Sequence, residues 1–220
     1  MLEFKKHEQL EMELLDILSK AGFLKKLIFG GGTALRLCFG LNRYSVDLDF
    51  WTKKGFKKAE FRRMRKVLEQ HYELTDFHEK HFSYLFEIRS PEKQKRLKIE
   101  IRKDAKTRFE TEINIAFSPM SQLQVQVTTF TLEQMWKNKI EALVERKAIR
   151  DAYDLEFLYK KGVGDIKKIK PADRVQLINI LKNWKTRDLK VTLGSVLEAN
   201  ERKYYVQNGF KILINALTIL

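Results

Sequence analysis

Two aspartates, Asp47 and Asp49, stand one residue apart shortly after three consecutive glycines, Gly30, Gly31 and Gly32. The stretch that holds them runs F-G-G-G-T-A-L-R-L-C-F-G-L-N-R-Y-S-V-D-L-D-F-W, from Phe29 to Trp51. If residues 45–51 form a strand, Asp47 and Asp49 share one face, roughly 6.6 Å apart along the chain, with Val46, Leu48 and Phe50 packed behind them. Aspartate is depleted in strands, so such a pair is costly unless something binds it. Two carboxylates on a rigid strand suit a hard divalent cation, Mg²⁺ or Mn²⁺, completed by phosphate oxygens and water. The glycines offer backbone N–H groups that can approach a phosphate, with a helix starting directly after them.

The flanking pattern shows what must hold these groups. Leu10, Leu14, Ile17 and Leu18 recur at helical spacing, and Gly22 ends that helix. Residues 23–29 read as a buried strand and residues 33–40 as a short helix. Phe61, Met64, Val67 and Leu68 give the next helix an apolar stripe, with Arg62, Arg63, Arg65 and Lys66 outward. The period then changes to two. Residues 72–75, 83–89 and 97–102 read as antiparallel strands, with Ser90-Pro91-Glu92-Lys93 as a hairpin turn, and residues 123–130 as another strand. In 97–102, Lys98, Glu100 and Arg102 form the polar face.

A helix beginning at Thr131 carries Lys139, Ala142, Leu143, Arg146 and Arg150. On one unbroken helix Lys139, Arg146 and Arg150 lie within about 40° of each other, with Asp154 near that face and Asp151 further round. Cations beside Ile140, Leu143 and Val144 fit a wall that binds triphosphate. The plainer reading is that Arg150 and Asp154 form an ordinary i,i+4 helix pair. Gly162 and Gly164 end the helix, and residues 165–220 read as helical without a catalytic pattern.

The first stretch resembles the nucleotidyltransferase superfamily, and within it the AbiEii-type nucleotidyltransferase toxins. The matching residues are Gly31, Gly32, Thr33, Ala34 and Leu35, then Arg43, Ser45, Asp47, Leu48, Asp49 and Phe50. The later match is Lys139, Ala142, Leu143, Arg146, Arg150, Asp151, Asp154 and Leu155. The resemblance implies a mixed α/β nucleotidyltransferase-like core over residues 1–130, with a helical C-terminal region over 131–220. It implies catalytic roles for Asp47, Asp49, Lys139 and either Asp151 or Asp154. It implies nucleotide binding by Gly31, Gly32, Thr33, Arg43, Ser45, Lys139 and Arg146. Glu100 is the candidate third acid beside Asp47 and Asp49 for metal binding; its other reading is a surface glutamate paired with Lys98 or Arg102. Asp104 is a further alternative. The activity implied is metal-dependent transfer of NMP from an NTP to an acceptor, with an antitoxin encoded nearby.

Composition narrows the partners. With 43 Lys and Arg against 29 Asp and Glu, the 220-residue chain carries a formal charge of +14. Such a surface favours polyanions through counterion release, so the acceptor expected is RNA, and the resemblance to the toxin family implies tRNA. A basic nucleic-acid-binding module without catalysis, or a transferase acting on a protein or small molecule, remains open. The single cysteine, Cys38, cannot form an internal disulfide, which suits a reducing cytoplasm. No apolar run reaches the roughly 18 residues of a membrane span. There is no H-E-x-x-H, no Walker loop and no G-x-S-x-G.

Overall fold

A computed structural model describes residues 2–93, 95–103 and 109–219. The chain divides into two compact units, Met1–Gly40 with Tyr44–Thr131, and Leu41–Arg43 with Leu132–Leu220. Asp104 lies outside the described residues.

The first unit is built on a seven-stranded mixed sheet with helices. Its elements in chain order are α1 (Leu2–Lys20), β1 (Leu27–Gly30), α2 (Gly31–Phe39), β2 (Asp47–Thr52), α3 (Lys58–His71), β3 (Glu73–Glu79), β4 (Ser83–Ser90), β5 (Lys95–Arg102), β6 (Thr111–Phe117) and β7 (Gln124–Phe130). The strand order is β3-β4-β5-β2-β1-β7-β6. β2 runs antiparallel to β1 and parallel to β5, so the acid-bearing strand is central and hydrogen-bonded on both sides. The strand expected at 23–29 is shorter than that pattern suggests. Leu24–Lys26 closes a 3₁₀ turn first, and β1 begins only at Leu27. β6, which pairs antiparallel with β7 at the sheet edge, is absent from the sequence reading.

Alternation decides the two faces of the central strands. Leu48 and Phe50 of β2 and Leu97, Ile99 and Ile101 of β5 are fully buried, while Asp47, Asp49, Lys98 and Glu100 between them are half-buried. The buried face packs against helices through Leu10, Leu14 and Leu18 of α1 and Phe61, Met64 and Leu68 of α3. Phe61 stacks on Tyr84 and Phe86 of β4, with centroids 4.5 and 4.7 Å away.

The second unit is helical: α4 (Leu132–Arg146), α5 (Ile149–Lys160), α6 (Pro171–Lys182), α7 (Ala199–Asn208) and α8 (Lys211–Thr218). Leu213 and Leu217 bury the C-terminal apolar stretch as packed helix. Glu156, fully buried on α5, accepts hydrogen bonds from the Tyr205 hydroxyl at 2.8 Å and the Leu213 amide at 3.1 Å. One carboxylate thus ties α7 and the start of α8 to α5. Among the described residues no helix is long and apolar enough to cross a membrane.

The long helix expected from Thr131 through Asp154 is two helices. Lys147 sits at φ 49° and Ala148 is extended, which separates α4 from α5. A continuous helix would hold Lys139 and Asp151 about 18 Å apart along its axis. The break lets α5 fold back, so these two side chains meet at 2.9 Å.

Among the described residues of the first unit, one buried side chain lacks a hydrogen-bond partner. Glu11 of α1 is fully buried, and neither carboxylate oxygen has a hydrogen-bond partner. His7 Nε2 stands 3.6 Å from Glu11 Oε1, beyond hydrogen bonding, and bonds the Val46 carbonyl at 3.0 Å instead. Burial pushes the Glu11 carboxyl well above its ordinary 4.5; the charges of Glu8 and Asp47 add to this, and Arg36 opposes it. The folded state therefore holds a proton that the unfolded chain releases. The resulting stability is complete below pH 4.5 and is lost as pH rises through the elevated folded value. Against Glu11→Gln, wild-type stability should fall by about 1.4 kcal/mol per pH unit across that window. Parallel urea melts of both proteins from pH 4 upward check this; parallel curves would remove the buried acid as the cause.

Candidate active site

In the first unit the acids are placed by register. Gly30 of β1 lies opposite Asp49 of β2, so the strand end and the turn into α2 sit beside the second acid. Gly31 has φ +72°, and a Cβ there would overlap the Asp49 carboxylate. Only glycine satisfies both the left-handed backbone and the close approach. Thr33, buried on the first turn of α2, donates its hydroxyl to the Asp47 carbonyl at 2.6 Å and fixes the start of β2. Gly32 is buried in the same turn, and Ser45 precedes β2 half-buried.

The parallel pairing of β2 with β5 sets Asp47 beside Lys98 and Asp49 beside Glu100, all on one face. Lys98 Nζ donates to Glu100 Oε2 at 3.1 Å, so the third acid has the partner that its plainer reading anticipates. Burial disfavours the Lys98 ammonium. The Glu100 hydrogen bond and the charges of Glu100, Asp47 and Asp49 outweigh it and hold its pKa above 10.5. Burial likewise opposes Glu100 ionisation, and Lys98 outweighs it, keeping Glu100 below its ordinary 4.5. Arg102 lies over the Trp51 ring at 5.0 Å on the same face.

Among the described residues no three His, Cys, Asp or Glu side chains are grouped to hold a metal by themselves. Mg²⁺ does not need such a cage, since it commonly uses one or two carboxylates plus substrate phosphates and water. Asp47 and Asp49, hard oxygen donors on one rigid face with a glycine pressed against the second, fit that mode.

The second unit gathers the remaining candidates. Arg43 grips Asp154 in a fork, Nε to Oδ1 at 2.6 Å and Nη2 to Oδ2 at 2.7 Å. Lys139 Nζ lies 2.6 Å from Asp154 Oδ2 and 2.9 Å from Asp151 Oδ1. Arg146 reaches Asp151 at 2.9 Å. Arg43, Lys139, Asp151 and Asp154 are all buried, while the Arg146 side chain is about half exposed. Burial opposes every charge in the buried part. The mutual ion pairs win, raising the pKa of Arg43 and Lys139 and lowering that of Asp154.

Sequence reasoning places Arg43 with the nucleotide-binding residues and Asp151 or Asp154 with the catalytic ones, and its plainer alternative pairs Asp154 with Arg150. The structure joins Arg43 to Asp154, 111 residues apart, and leaves Arg150 exposed. No local spacing signals that pair.

Two substitutions test these placements. Gly31→Ala should cost about 2 kcal/mol or more from backbone strain alone, and more from displacing Asp49; thermal melting measures it. Asp154→Asn should cost about 3–5 kcal/mol, because it removes the buried negative charge that Arg43 and Lys139 share, whereas exposed Arg150→Ala should stay within about 0.5 kcal/mol. Urea unfolding followed by the fluorescence of Trp51, Trp136 and Trp184 reads the second pair.

The family described as "Nucleotidyl transferase AbiEii toxin, Type IV TA system" matches residues 13–192. No curated protein matches the chain significantly in sequence. Among solved structures, JHP933 from Helicobacter pylori is similar over 96% of this chain and 92% of its own, with a TM-score of 0.55 and 21% identity. A second H. pylori protein, provisionally named a nucleotidyltransferase, is similar over 96% of each chain, with a TM-score of 0.56 and 21% identity. At that identity the likeness speaks to the fold, here a mixed sheet followed by C-terminal helices. With four-fifths of its length matched and the glycine turn set against the acid strand, the chain belongs to the AbiEii nucleotidyl transferase toxin family of type IV toxin–antitoxin systems.

Proposed function

We propose that the protein transfers NMP from an NTP to an RNA acceptor, with Asp47 and Asp49 at the reacting phosphates. The observation that carries this is Asp49 set against Gly31, with Asp47 beside it on the same sheet face. A nucleotidyl transfer needs charge held near the α-phosphate and a backbone turn open to phosphate oxygens. The two aspartates would hold a divalent ion together with the triphosphate. When bound, that ion supplies electrostatic stabilisation of the phosphates and lowers the pKa of an attacking hydroxyl. Gly31, Gly32, Thr33 and Ser45 would seat the phosphates around it. The family places the enzyme in a toxin–antitoxin pair, so an NTP substrate and a cognate antitoxin accompany this reading.

Lys139 and Arg146 take different parts. The Lys139 ammonium is shared between two buried carboxylates, so reaching a phosphate would cost it ion pairs that nothing else replaces. Arg146 engages the same Asp151 from a half-exposed position, with donors to spare for a phosphate. Lys139, Arg43, Asp151 and Asp154 hold the fold of the second unit that presents Arg146 to solvent.

The choice of RNA rests on charge. The chain carries +14, and Arg62, Lys66, Lys167, Lys168, Lys170, Arg187 and Lys190 are exposed. Such cations bind phosphates in a salt-dependent, sequence-independent way.

Incubation with each labelled NTP, Mg²⁺ and total tRNA tests the assignment. Wild type should label RNA, and Asp49→Asn should label it at least about a hundredfold more slowly. Equal labelling by both proteins would remove the acid pair from catalysis. Label on protein rather than RNA would keep the chemistry and change the acceptor.

A further inference from the structure

The acid face contains a cation that its family pattern does not explain. Lys98 lies between the acids: β5 register sets it beside Asp47, its Nζ is 3.1 Å from Glu100 Oε2, and it feels the charge of Asp49. On its other side β4 sets Glu87 opposite Lys98. Glu87 is engaged elsewhere, with Arg96 at 3.3 Å and the Thr75 hydroxyl at 2.8 Å. Arg102, the next cation along the strand, is drawn to the Trp51 ring. Lys98 is thus the ammonium that bonds Glu100 directly and stands beside Asp47 by register, within reach of the charge of Asp49. Its side chain keeps 41% of its exposure, so it can swing out without leaving a buried hole.

We infer that Lys98 is a built-in counter-ion of the acid face, holding Asp47, Asp49 and Glu100 together in the metal-free protein and yielding its place to a divalent cation. This rests on the reading of Asp47 and Asp49 as metal ligands. The physical ground is like-charge crowding. Neighbouring strands lie about 4.8 Å apart, so three carboxylates on β2 and β5 repel unless a cation stands among them. An ammonium does this without ordered coordination, and a divalent ion does it better where phosphate oxygens complete its shell. The lysine therefore weakens binding of the bare ion and leaves tight binding to the ion that arrives with nucleotide.

Binding of Mn²⁺ alone, read by electron paramagnetic resonance of the free ion, tests this without any turnover. Lys98→Met should bind Mn²⁺ roughly tenfold or more tightly than wild type, because a like charge has been removed from beside the ion. Lys98→Arg, which keeps the charge, should bind nearly as wild type does. Adding Asp49→Asn to Lys98→Met should abolish the gain. In metal-free buffer Lys98→Met should melt below wild type, with Mn²⁺ restoring it. If wild type binds Mn²⁺ and Lys98→Met binds no more tightly, the counter-ion role is overturned and the acid-pair reading stands. If neither wild type nor any variant binds Mn²⁺, the metal reading of the aspartates falls, and the exchange falls with it.

Discussion

Asp49 rests against Gly31, the position in the glycine run whose backbone is left-handed. Gly31 supplies a left-handed φ and an open Cα surface, and the carboxylate fills the space a Cβ would take. This contact links two facts that are otherwise separate, a strand bearing acids and a turn bearing glycines. The β1–β2 register brings them together by pairing Gly30 with Asp49, and Thr33 locks the start of β2 from the other side. Because β2 is hydrogen-bonded to both β1 and β5, neither acid can move far without breaking a ladder. The rigidity that costs aspartate its solvation is also what makes it useful as a ligand.

The two units treat charge in opposite ways. On α4 and α5, Lys139, Asp151 and Asp154 are buried with Arg43, and every carboxylate meets a cation within 3 Å. Such a cluster adds little net stability over an apolar core, but it is severe on any alternative packing, since one misplaced partner strands a buried charge. It thereby fixes how α5 folds back on α4 and where Arg43 lies. The acid face of the sheet is half-exposed, and there Asp47, Asp49 and Glu100 share one side of β2 and β5 with the cations Lys98 and Arg102.

The sequence made the first unit's site readable because its parts are close in the chain and each has a strong local signature. Three glycines, a short apolar helix and a period-two strand define their own geometry, and the alternation along β5 correctly puts Glu100 on the polar side. The helix break at Lys147 was not legible. No glycine or proline marks it, and a lysine at φ 49° is a conformation that tertiary packing imposes. Once the break is missed, helical phase gives the wrong neighbours, and Arg150 takes the place that Arg43 holds in the structure. β6 was lost for a different reason. Ile113, Ile115 and Phe117 alternate as a strand should, yet they are exposed, and Ala116 faces the core. An edge strand with its apolar residues outward inverts the pattern that identifies buried strands.

On a chain of +14, the surroundings of β2 are a local reversal of sign. The charges of Glu8 and Asp47 both act on Glu11 of α1, and Asp49 and Glu100 extend the acidic region across the sheet. Arg36, bound to Glu8 at 2.5 Å, and Lys98 are the cations set against it. A polyanion drawn to the basic surface therefore meets repulsion at the acids themselves. On the proposed reading that repulsion selects for order: phosphate can approach Asp47 and Asp49 only when a cation stands between them. Burial raises the Glu11 carboxyl well above its ordinary value, and the neighbouring charge of Asp47 acts on it in the same direction.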